Sequence, residues 1–258
     1  MKPSLVHRKH SQLRRSRVTR ATGPALGAIA FVALLGATTT ACKSSGVSLA
    51  QGYRTYTAED YSEVLKRWTR KTQTFSLQQT DELLTVQATY QSWDFRWAYA
   101  ERYADDYQLG QAERETLREN LLRQSSGAHE FYLTVYGTSV RWTQLNKPTT
   151  AWIVRLVDDS GAITSPSDIE EIRKPGALER RYFPYTTPYR NVFRIRFPKV
   201  ANDGKHPSVA PGAKWMGLRF SGPQGRAEMR WNLEPQAAGN APAPATTSPP
   251  GSPAAAGK

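Results

Sequence analysis

The stretch MGLRFSGPQGRAEMRWNL, residues 216–233, predicts the fold most directly. Apolar side chains alternate with other residues on both sides of a short segment rich in Gly and Pro, residues 221–225. A period of two is typical of half-buried β-strands, and a Gly-rich connection between two such runs predicts a hairpin. The apolar positions are Met216, Leu218, Phe220, Ala227, Met229, Trp231 and Leu233.

Three more runs upstream of this hairpin have the same alternating pattern. They cover residues 131–136, 152–157 and 193–197, and the last two end at Asp158-Asp159-Ser160-Gly161 and at Pro198. Five or more short strands with turns between them predict a β-sandwich-like domain, which we place at residues 128–234. Within it, residues 167–173 are expected to form one helical turn.

The preceding residues, 57–127, show mainly helical periodicity. Residues 58–70 are expected to form a helix capped by Thr57 and Asp60, with an apolar stripe at Tyr61, Val64, Leu65 and Trp68. One strand is expected at residues 84–90, followed by helices from Ser92 to Asp106 and over 111–124. The second helix has an apolar stripe, which we interpret as core, at Trp93, Trp97, Ala100, Ala104 and Tyr107. The predicted fold class is therefore α+β, with N-terminal helices and one strand packed on an antiparallel sandwich-like domain.

The N-terminal end shows the three parts of an export signal. Basic residues occur up to Arg20, an apolar run covers residues 25–36, and small residues occupy positions 37–41. This order is that of a secretory signal peptide, which we assign to residues 1–41. The apolar run is shorter than the roughly 20 residues that a membrane-spanning helix needs.

The sequence Thr39-Thr40-Ala41-Cys42 resembles the lipobox of bacterial prolipoproteins, although Thr39 stands where that family usually has Leu. The resemblance implies cleavage before Cys42, lipidation of its thiol with a diacylglycerol, acylation of the new N-terminus, and membrane attachment through the lipid. Lys43 stands where enteric relatives that stay in the inner membrane have Asp, which favours the outer membrane. The alternative is an ordinary signal peptide that leaves a free thiol at Cys42.

Two further segments are assigned by composition. Residues 42–56 are small and polar and are interpreted as a tether. Residues 235–258 consist almost wholly of Ala, Pro, Gly, Ser and Thr, and a segment of this kind is expected to be disordered because it cannot bury enough apolar area.

The charge of the chain is concentrated in its signal. The sequence has 35 Lys and Arg and 22 Asp and Glu, and seven of the basic residues precede Cys42. The remaining 28 basic and 22 acidic residues give a net charge of +6. This excess is compatible with anionic lipid headgroups or an anionic glycan and is too small to indicate nucleic acid.

No catalytic motif, cofactor motif or metal-ligand spacing is present in the sequence. His129 and His206 are the histidines that remain after signal removal, and neither lies in a zinc-binding pattern. The adjacent carboxylates at 105–106, 158–159 and 170–171 are interpreted as turns or surface, because neighbouring residues point in different directions. We therefore expect no metal and no cofactor, and the sequence favours a non-catalytic protein over an enzyme without deciding between them.

One segment, residues 179–190, interleaves arginines with aromatics and prolines. Arginine beside exposed aromatic rings is typical of sites for sugars, acidic polymers or protein partners. The alternative is a connection that packs its aromatic side chains over the sandwich edge. The predicted site residues are Arg180, Arg181, Tyr182, Tyr185, Tyr189 and Arg190.

The sequence thus favours a membrane-anchored lipoprotein that binds a partner or serves as a scaffold without catalysis. Two other functions remain open. One is a carrier of a small lipid or glycan in a pocket between helices and sandwich, and the other is an envelope enzyme with dispersed carboxylates.

Overall fold

The structure of the protein, a computed structural model, describes residues 46–75 and 82–234. The predicted signal peptide, Cys42 and the predicted disordered tail lie outside these residues. The helices are α1 (Tyr61–Trp68), α2 (Trp93–Asp106), α3 (Gln111–Gly127) and α4 (Ala177–Tyr182). The strands are β1 (Thr69–Phe75), β2 (Glu82–Tyr90), β3 (Ala128–Tyr136), β4 (Ile153–Asp158), β5 (Ile163–Thr164), β6 (Asp168–Glu171), β7 (Asn191–Pro198), β8 (Trp215–Gly222) and β9 (Gly225–Asn232).

The strands form two antiparallel sheets. The larger sheet has the order β1-β2-β3-β7-β6, and the smaller sheet has the order β5-β4-β8-β9. The hairpin predicted at residues 216–233 is confirmed, because β8 and β9 pair from Trp215↔Asn232 to Gly222↔Gly225. Gly225 has a φ of 128°, which explains why a glycine follows the turn.

One face of the larger sheet packs on the smaller sheet. The ring of Phe131 on β3 lies 5.4 Å from that of Trp231 on β9, and the indole Nε1 of Trp231 donates a hydrogen bond to the Trp68 carbonyl. Burial of each such side chain contributes about 1.5–3 kcal/mol. The other members of this core include Leu84, Val86, Leu133, Val154, Leu156, Ile195, Met216, Leu218, Phe220 and Met229.

Helices cover the opposite face of the larger sheet. Tyr132 on β3 stacks on Phe183, with ring centroids 3.9 Å apart, and Phe183 lies 5.8 Å from Phe95 on α2. The α+β class predicted from the sequence is confirmed: helices, a sheet and a second sheet form successive layers.

The sequence indicated one strand before residue 128, and the structure contains two. Helix α1 ends at Trp68, and β1 begins at the next residue and pairs with β2 in antiparallel register from Thr69↔Thr89. Strand β2 then pairs with β3. The larger sheet therefore combines strands from both of the regions that the sequence separated at residue 127.

The helical turn predicted at residues 167–173 is wrong, since residues 168–171 form the edge strand β6. Asp168 and Glu170 stand opposite Arg196 and Arg194 on β7, and their side chains form ion pairs across the strands. These cross-strand ion pairs are visible only after β7 is placed, so the local sequence could not reveal them.

Residues 46–56, which the sequence places in a tether, contact the domain. Val47 is buried, and its backbone N–H donates to the Asn232 carbonyl at the end of β9. Arg54 forms an ion pair of 2.5 Å with Asp94, and the ring of Tyr53 meets Trp97 edge to face. None of the helices within 46–75 and 82–234 is long and apolar enough to cross a membrane.

Candidate functional site

A cavity of about 510 Å³ lies between the larger sheet and the helices that cover it. Strands β3 and β7 form its floor, α2 and α3 form one wall, and α4 with the residue after it forms the other. The lining residues are Gln91, Phe95, Arg96, Tyr99, Leu121, Gln124, Gly127, Ala128, Glu130, Tyr132, Leu178, Glu179, Tyr182, Phe183, Arg194 and Arg196.

The floor carries charged side chains because, along β3 and β7, residues that face the smaller sheet alternate with residues that face the helices. Phe193, Ile195 and Phe197 point toward the smaller sheet, so Arg194 and Arg196 point toward the helices. Glu130 on the neighbouring strand faces the same way. Its carboxylate receives a hydrogen bond from Arg196 Nε at 3.0 Å and lies 3.5 Å from Arg194 Nε.

A third arginine reaches the same carboxylate from α2. Arg96 is 2% exposed and donates to the Gln91 carbonyl and to Gln124 Oε1. Its Nη2 is 3.3 Å from Glu130 Oε1 but makes no well-aligned hydrogen bond within the described residues. Burial lowers the pKa of Arg96, with the nearby Glu130 opposing the shift. The site therefore contains a buried cationic donor with unused hydrogen-bonding capacity.

The arginine–glutamate cluster is close to neutral. Asp168 and Glu170 on β6 pair with Arg196 and Arg194, so three carboxylates face three guanidinium groups. Burial lowers the pKa of Arg196, but the hydrogen bond to Glu130 and the nearby carboxylates outweigh this and the pKa is raised. The floor thus offers both donors and acceptors rather than a surplus of positive charge.

The walls of the cavity are aromatic. Tyr99 on α2 packs against Tyr182 at the end of α4, with ring centroids 4.8 Å apart, and Phe95 and Phe183 continue the wall. Burial raises the pKa of Tyr99 and of Tyr132 to about 12. Their hydroxyl groups therefore remain protonated near neutral pH and can donate hydrogen bonds.

The segment 179–190, singled out by its arginines and aromatics, is divided by the fold. Tyr182 is buried and lines the cavity, and its hydroxyl donates to Asp106 at 3.0 Å. Tyr185 is half-buried, and its hydroxyl is 2.6 Å from the Thr89 hydroxyl. Both tyrosines pack inward on the larger sheet and its helices.

The other predicted site residues lie outside the cavity. Arg180, Arg181 and Tyr189 are exposed, and Arg181 lies 3.4 Å from Asp106. Arg190 is half-buried and its Nη1 has no hydrogen-bond partner among the described residues. Arg181 and Tyr182 share Asp106 as a partner, and none of Arg180, Arg181, Tyr189 and Arg190 is among the residues that line the cavity.

The two histidines lie in different surroundings. His129 is buried on the sandwich side of β3, where its Nδ1 is 2.9 Å from the Tyr90 hydroxyl and 3.4 Å from Lys199 Nζ. Burial lowers its pKa to about 3, and the Lys199 charge adds to the shift. Burial likewise lowers the pKa of Lys199 to about 8. Neither side chain lines the cavity.

His206 lies in an open groove between two loops, next to Asp203 and Ser160. These are the residue types of a nucleophilic triad, and His206 Nδ1 contacts the Asp203 carboxylate. The hydroxyl of Ser160, however, donates to Asp158 at 2.6 Å. That carboxylate also accepts the backbone N–H groups of Ser160, Ala162 and Ala210, so Asp158 and Ser160 hold the turn together.

Within residues 46–75 and 82–234, no group of three or more His, Cys, Asp or Glu side chains is placed to hold a metal ion. Of the adjacent carboxylates, Asp106 pairs with Arg102, Asp158 holds a turn, and Glu170 pairs with Arg194.

Sequence reasoning missed the arginines of the cavity. Arg194 and Arg196 alternate with apolar residues, a pattern that predicts only that they point away from the buried side of the strand. The missing information was that α2 and α4 cover that side. A usable signal was present in β6, where Asp168 and Glu170 share the two-residue spacing of the arginines.

No protein-family model matches this chain, and no curated protein matches it. Among solved structures, a crystal structure of a protein of unknown function from Burkholderia pseudomallei K96243 is similar with a TM-score of 0.36 and 12% identity. The similarity covers 67% of this chain and 88% of that one. A TM-score this low does not establish a shared fold.

Proposed function

We propose that this protein is a lipid-anchored cell-envelope module that binds a small ligand in the cavity between the larger sheet and its helices, without catalysis. The anchor is the lipid on Cys42, and the outer membrane is the proposed location. The observation that supports binding is the buried Arg96, whose Nη2 makes no well-aligned hydrogen bond among the described residues, beside an aromatic wall.

The dimensions and chemistry of the cavity support a ligand built on a small ring. Its volume falls within the range of about 300–1,000 Å³ that is usual for small-molecule pockets. Aromatic walls stack on ring faces, while a floor of paired arginines and carboxylates offers both donors and acceptors. Hydroxyl-rich rings need both of these, so a short glycan fragment fits best.

The binding proposal is tested with the processed protein on an array of short neutral and acidic glycans, followed by calorimetry on any sugar retained. We expect binding of a short glycan from this array. The variant Leu178→Trp places a larger side chain at the half-open mouth and should weaken binding by at least about tenfold, equivalent to ~1.4 kcal/mol.

The matched control is Val140→Trp, since Val140 is an exposed apolar residue outside the cavity. It should bind as the unsubstituted protein does. Equal loss of binding in both variants, or no retention of any glycan, contradicts the proposed ligand class.

The anchor is tested separately by mass spectrometry of the processed N-terminus. We expect a peptide that begins at Cys42 and carries the mass of a diacylglycerol and an acyl chain. An unmodified Cys42 or an intact precursor contradicts the lipoprotein part of the proposal.

A further inference from the structure

The outer face of the smaller sheet is rich in arginine. Arg155 on β4, Arg219 on β8, and Arg226 and Arg230 on β9 point away from the core, because their neighbours along each strand are buried. Glu228 is the acidic side chain that these strands contribute to this face. We name this surface the arginine face; it comprises Ile153, Arg155, Ile163, Trp215, Arg219, Ser221, Arg226, Glu228 and Arg230.

The charges on the arginine face are unbalanced. Arg219, Arg226 and Arg230 all pair with Glu228, at 2.8, 3.3 and 2.6 Å. Burial raises the pKa of Glu228, but the hydrogen bonds from Arg219 and Arg230 outweigh it and the pKa is lowered. With Glu228 ionised, four arginines face one carboxylate, and the surplus is three positive charges.

One pair of arginines is placed unfavourably for an isolated domain. Arg155 and Arg219 stand directly opposite each other on β4 and β8. Like charges in this position are destabilising. Arg155 has no carboxylate partner among the described residues, and its one described hydrogen bond goes to the Val154 carbonyl. An external anion would relieve this repulsion.

Apolar side chains lie among these charges. Ile153 and Ile163 are each 52% exposed, and the guanidinium of Arg230 lies 3.9 Å over the ring of Trp215. Trp beside Arg with exposed aliphatic groups is the composition of surfaces that rest at the boundary between lipid headgroups and acyl chains.

The proposed anchor, Cys42, lies only a few residues before a segment that contacts this sheet. Val47 pairs with Leu233, and its backbone N–H donates a hydrogen bond to the Asn232 carbonyl. Asn232 on β9 is the register partner of Trp215, which belongs to the arginine face. Cys42 lies five residues before Val47. An extended chain spans at most about 3.6 Å per residue, so a segment of five residues bridges at most about 18 Å.

We infer that the arginine face docks on an anionic lipid bilayer and holds the domain flat against the membrane that anchors it. This inference rests on the proposed anchor at Cys42. Docking through the whole face differs from contact at the edge near Asn232 alone. Arg226 is six residues along β9 from Asn232, which corresponds to about 20 Å. Only docking through the whole face brings Arg226 to the lipid.

The test uses the processed protein in vesicles of phosphatidylcholine, with and without about 30% phosphatidylglycerol. With Cys42 lipidated, Ser221→Cys provides a single thiol for a fluorophore on the arginine face near Arg226. Asn120→Cys provides a matched label on the exposed side of α3. We expect quenching by nitroxide lipids at position 221 in anionic vesicles, and little at position 120.

The charge requirement is tested with Arg155→Gln/Arg226→Gln, which leaves Trp215, Arg230 and Glu228 intact. Because each arginine near an anionic surface strengthens docking about fivefold, the ratio of docked to undocked protein should fall about 30-fold. Raising salt from about 0.1 to about 1 M, which shortens the screening length from about 10 to about 3 Å, should have a similar effect. The control variant Arg123→Gln/Arg173→Gln removes two exposed arginines elsewhere and should change nothing.

Three results would overturn the inference: equal quenching at positions 221 and 120, equal docking on neutral and anionic vesicles, or no effect of the arginine variant. Retention on a soluble anionic polysaccharide without any response to vesicles would also overturn it, in favour of glycan binding at this face.

Failure of the anchor is a separate outcome. If mass spectrometry shows an unmodified Cys42, the face is tested alone by co-sedimentation of the processed protein with the two kinds of vesicle. Binding to anionic vesicles that is lost in Arg155→Gln/Arg226→Gln then supports the arginine face without the anchor. Equal sedimentation with both kinds overturns it.

Discussion

The two sheets carry the same motif in opposite surroundings. On the larger sheet, Glu130 is approached by Arg96, Arg194 and Arg196, and on the smaller sheet Glu228 is approached by three arginines of its own. The first cluster is covered by helices and receives two further carboxylates. The second faces outward and keeps its excess charge. The covered cluster is balanced by additional carboxylates, whereas the outward-facing cluster keeps a surplus of positive charge.

The largest expected effect is a difference in stability between variants of Glu130 and of Glu228. The variant Glu130→Gln leaves Arg96, which is 2% exposed, without its counter-ion, and should destabilise the protein by about 3–5 kcal/mol. The variant Glu228→Gln should lose only about 0–1 kcal/mol, because Arg226 and Arg230 are more than half exposed and can be hydrated. Urea unfolding of the two variants measures the difference, and equal losses would show that the covering helices do not matter.

An intermediate effect concerns how the free energy of unfolding depends on pH through the buried His129 on β3. His129 stays neutral when folded, with a pKa of about 3, whereas the unfolded residue has a pKa of about 6.5. The unfolded state therefore binds the proton first, and stability is lost as pH falls below 6.5. Between pH 6.5 and 5 this loss is about 2 kcal/mol.

The measurement compares unfolding curves of the unsubstituted protein and His129→Gln at both pH values. The variant should have a smaller difference between the two pH values, even if its stability at pH 7 is lower. An unchanged pH dependence would mean that His129 is not the group responsible. Lys199 and Tyr90, which face His129, stay protonated over this interval.

The smallest expected effect has the opposite sign. Replacing Arg155 with Glu puts opposite charges across β4 and β8 and should stabilise the isolated protein by about 0.2–1 kcal/mol. The same change alters the charge of the arginine face by two units, so the ratio of docked to undocked protein on anionic vesicles should fall about 30-fold. Thermal unfolding measures the first effect and the quenching of a label at position 221 measures the second. A destabilised variant would show that Arg155 already has a favourable role in the fold.

Much of the fold followed from local patterns. Ser92 accepts the Phe95 N–H, as its position before α2 predicted, and the β8–β9 hairpin has the expected pairing. The predictions failed where the structure of a segment depends on residues far from it in the sequence. Strand β1 lacks a strong apolar alternation and forms because β2 offers an edge, and β6 forms because Arg194 and Arg196 stand opposite its carboxylates.

The candidate site was less accessible to prediction. Tyr182 was singled out, but Arg96, Glu130 and Arg194 were not, because they come from three separate elements. Of the stripe predicted as core on α2, Trp97, Ala100 and Ala104 are buried, whereas Trp93 is half-buried and Tyr107 is 50% exposed, so the prediction is wrong at those two positions. Trp97, however, meets Tyr53 and Arg118 rather than the sheet, and Phe95 and Tyr99 face the cavity.

By itself, the sequence determined the α+β class, most strands and helices, and the charged and apolar sides of each strand, because periodicity is a local property of the chain. Only the tertiary structure decided which charged side is covered. Strands β7 and β9 both carry charged side chains at alternating positions, and no local pattern tells them apart. The packing of α2 and α4 over one sheet makes its arginines part of a pocket, whereas Arg226 and Arg230 of the other sheet are more than half exposed.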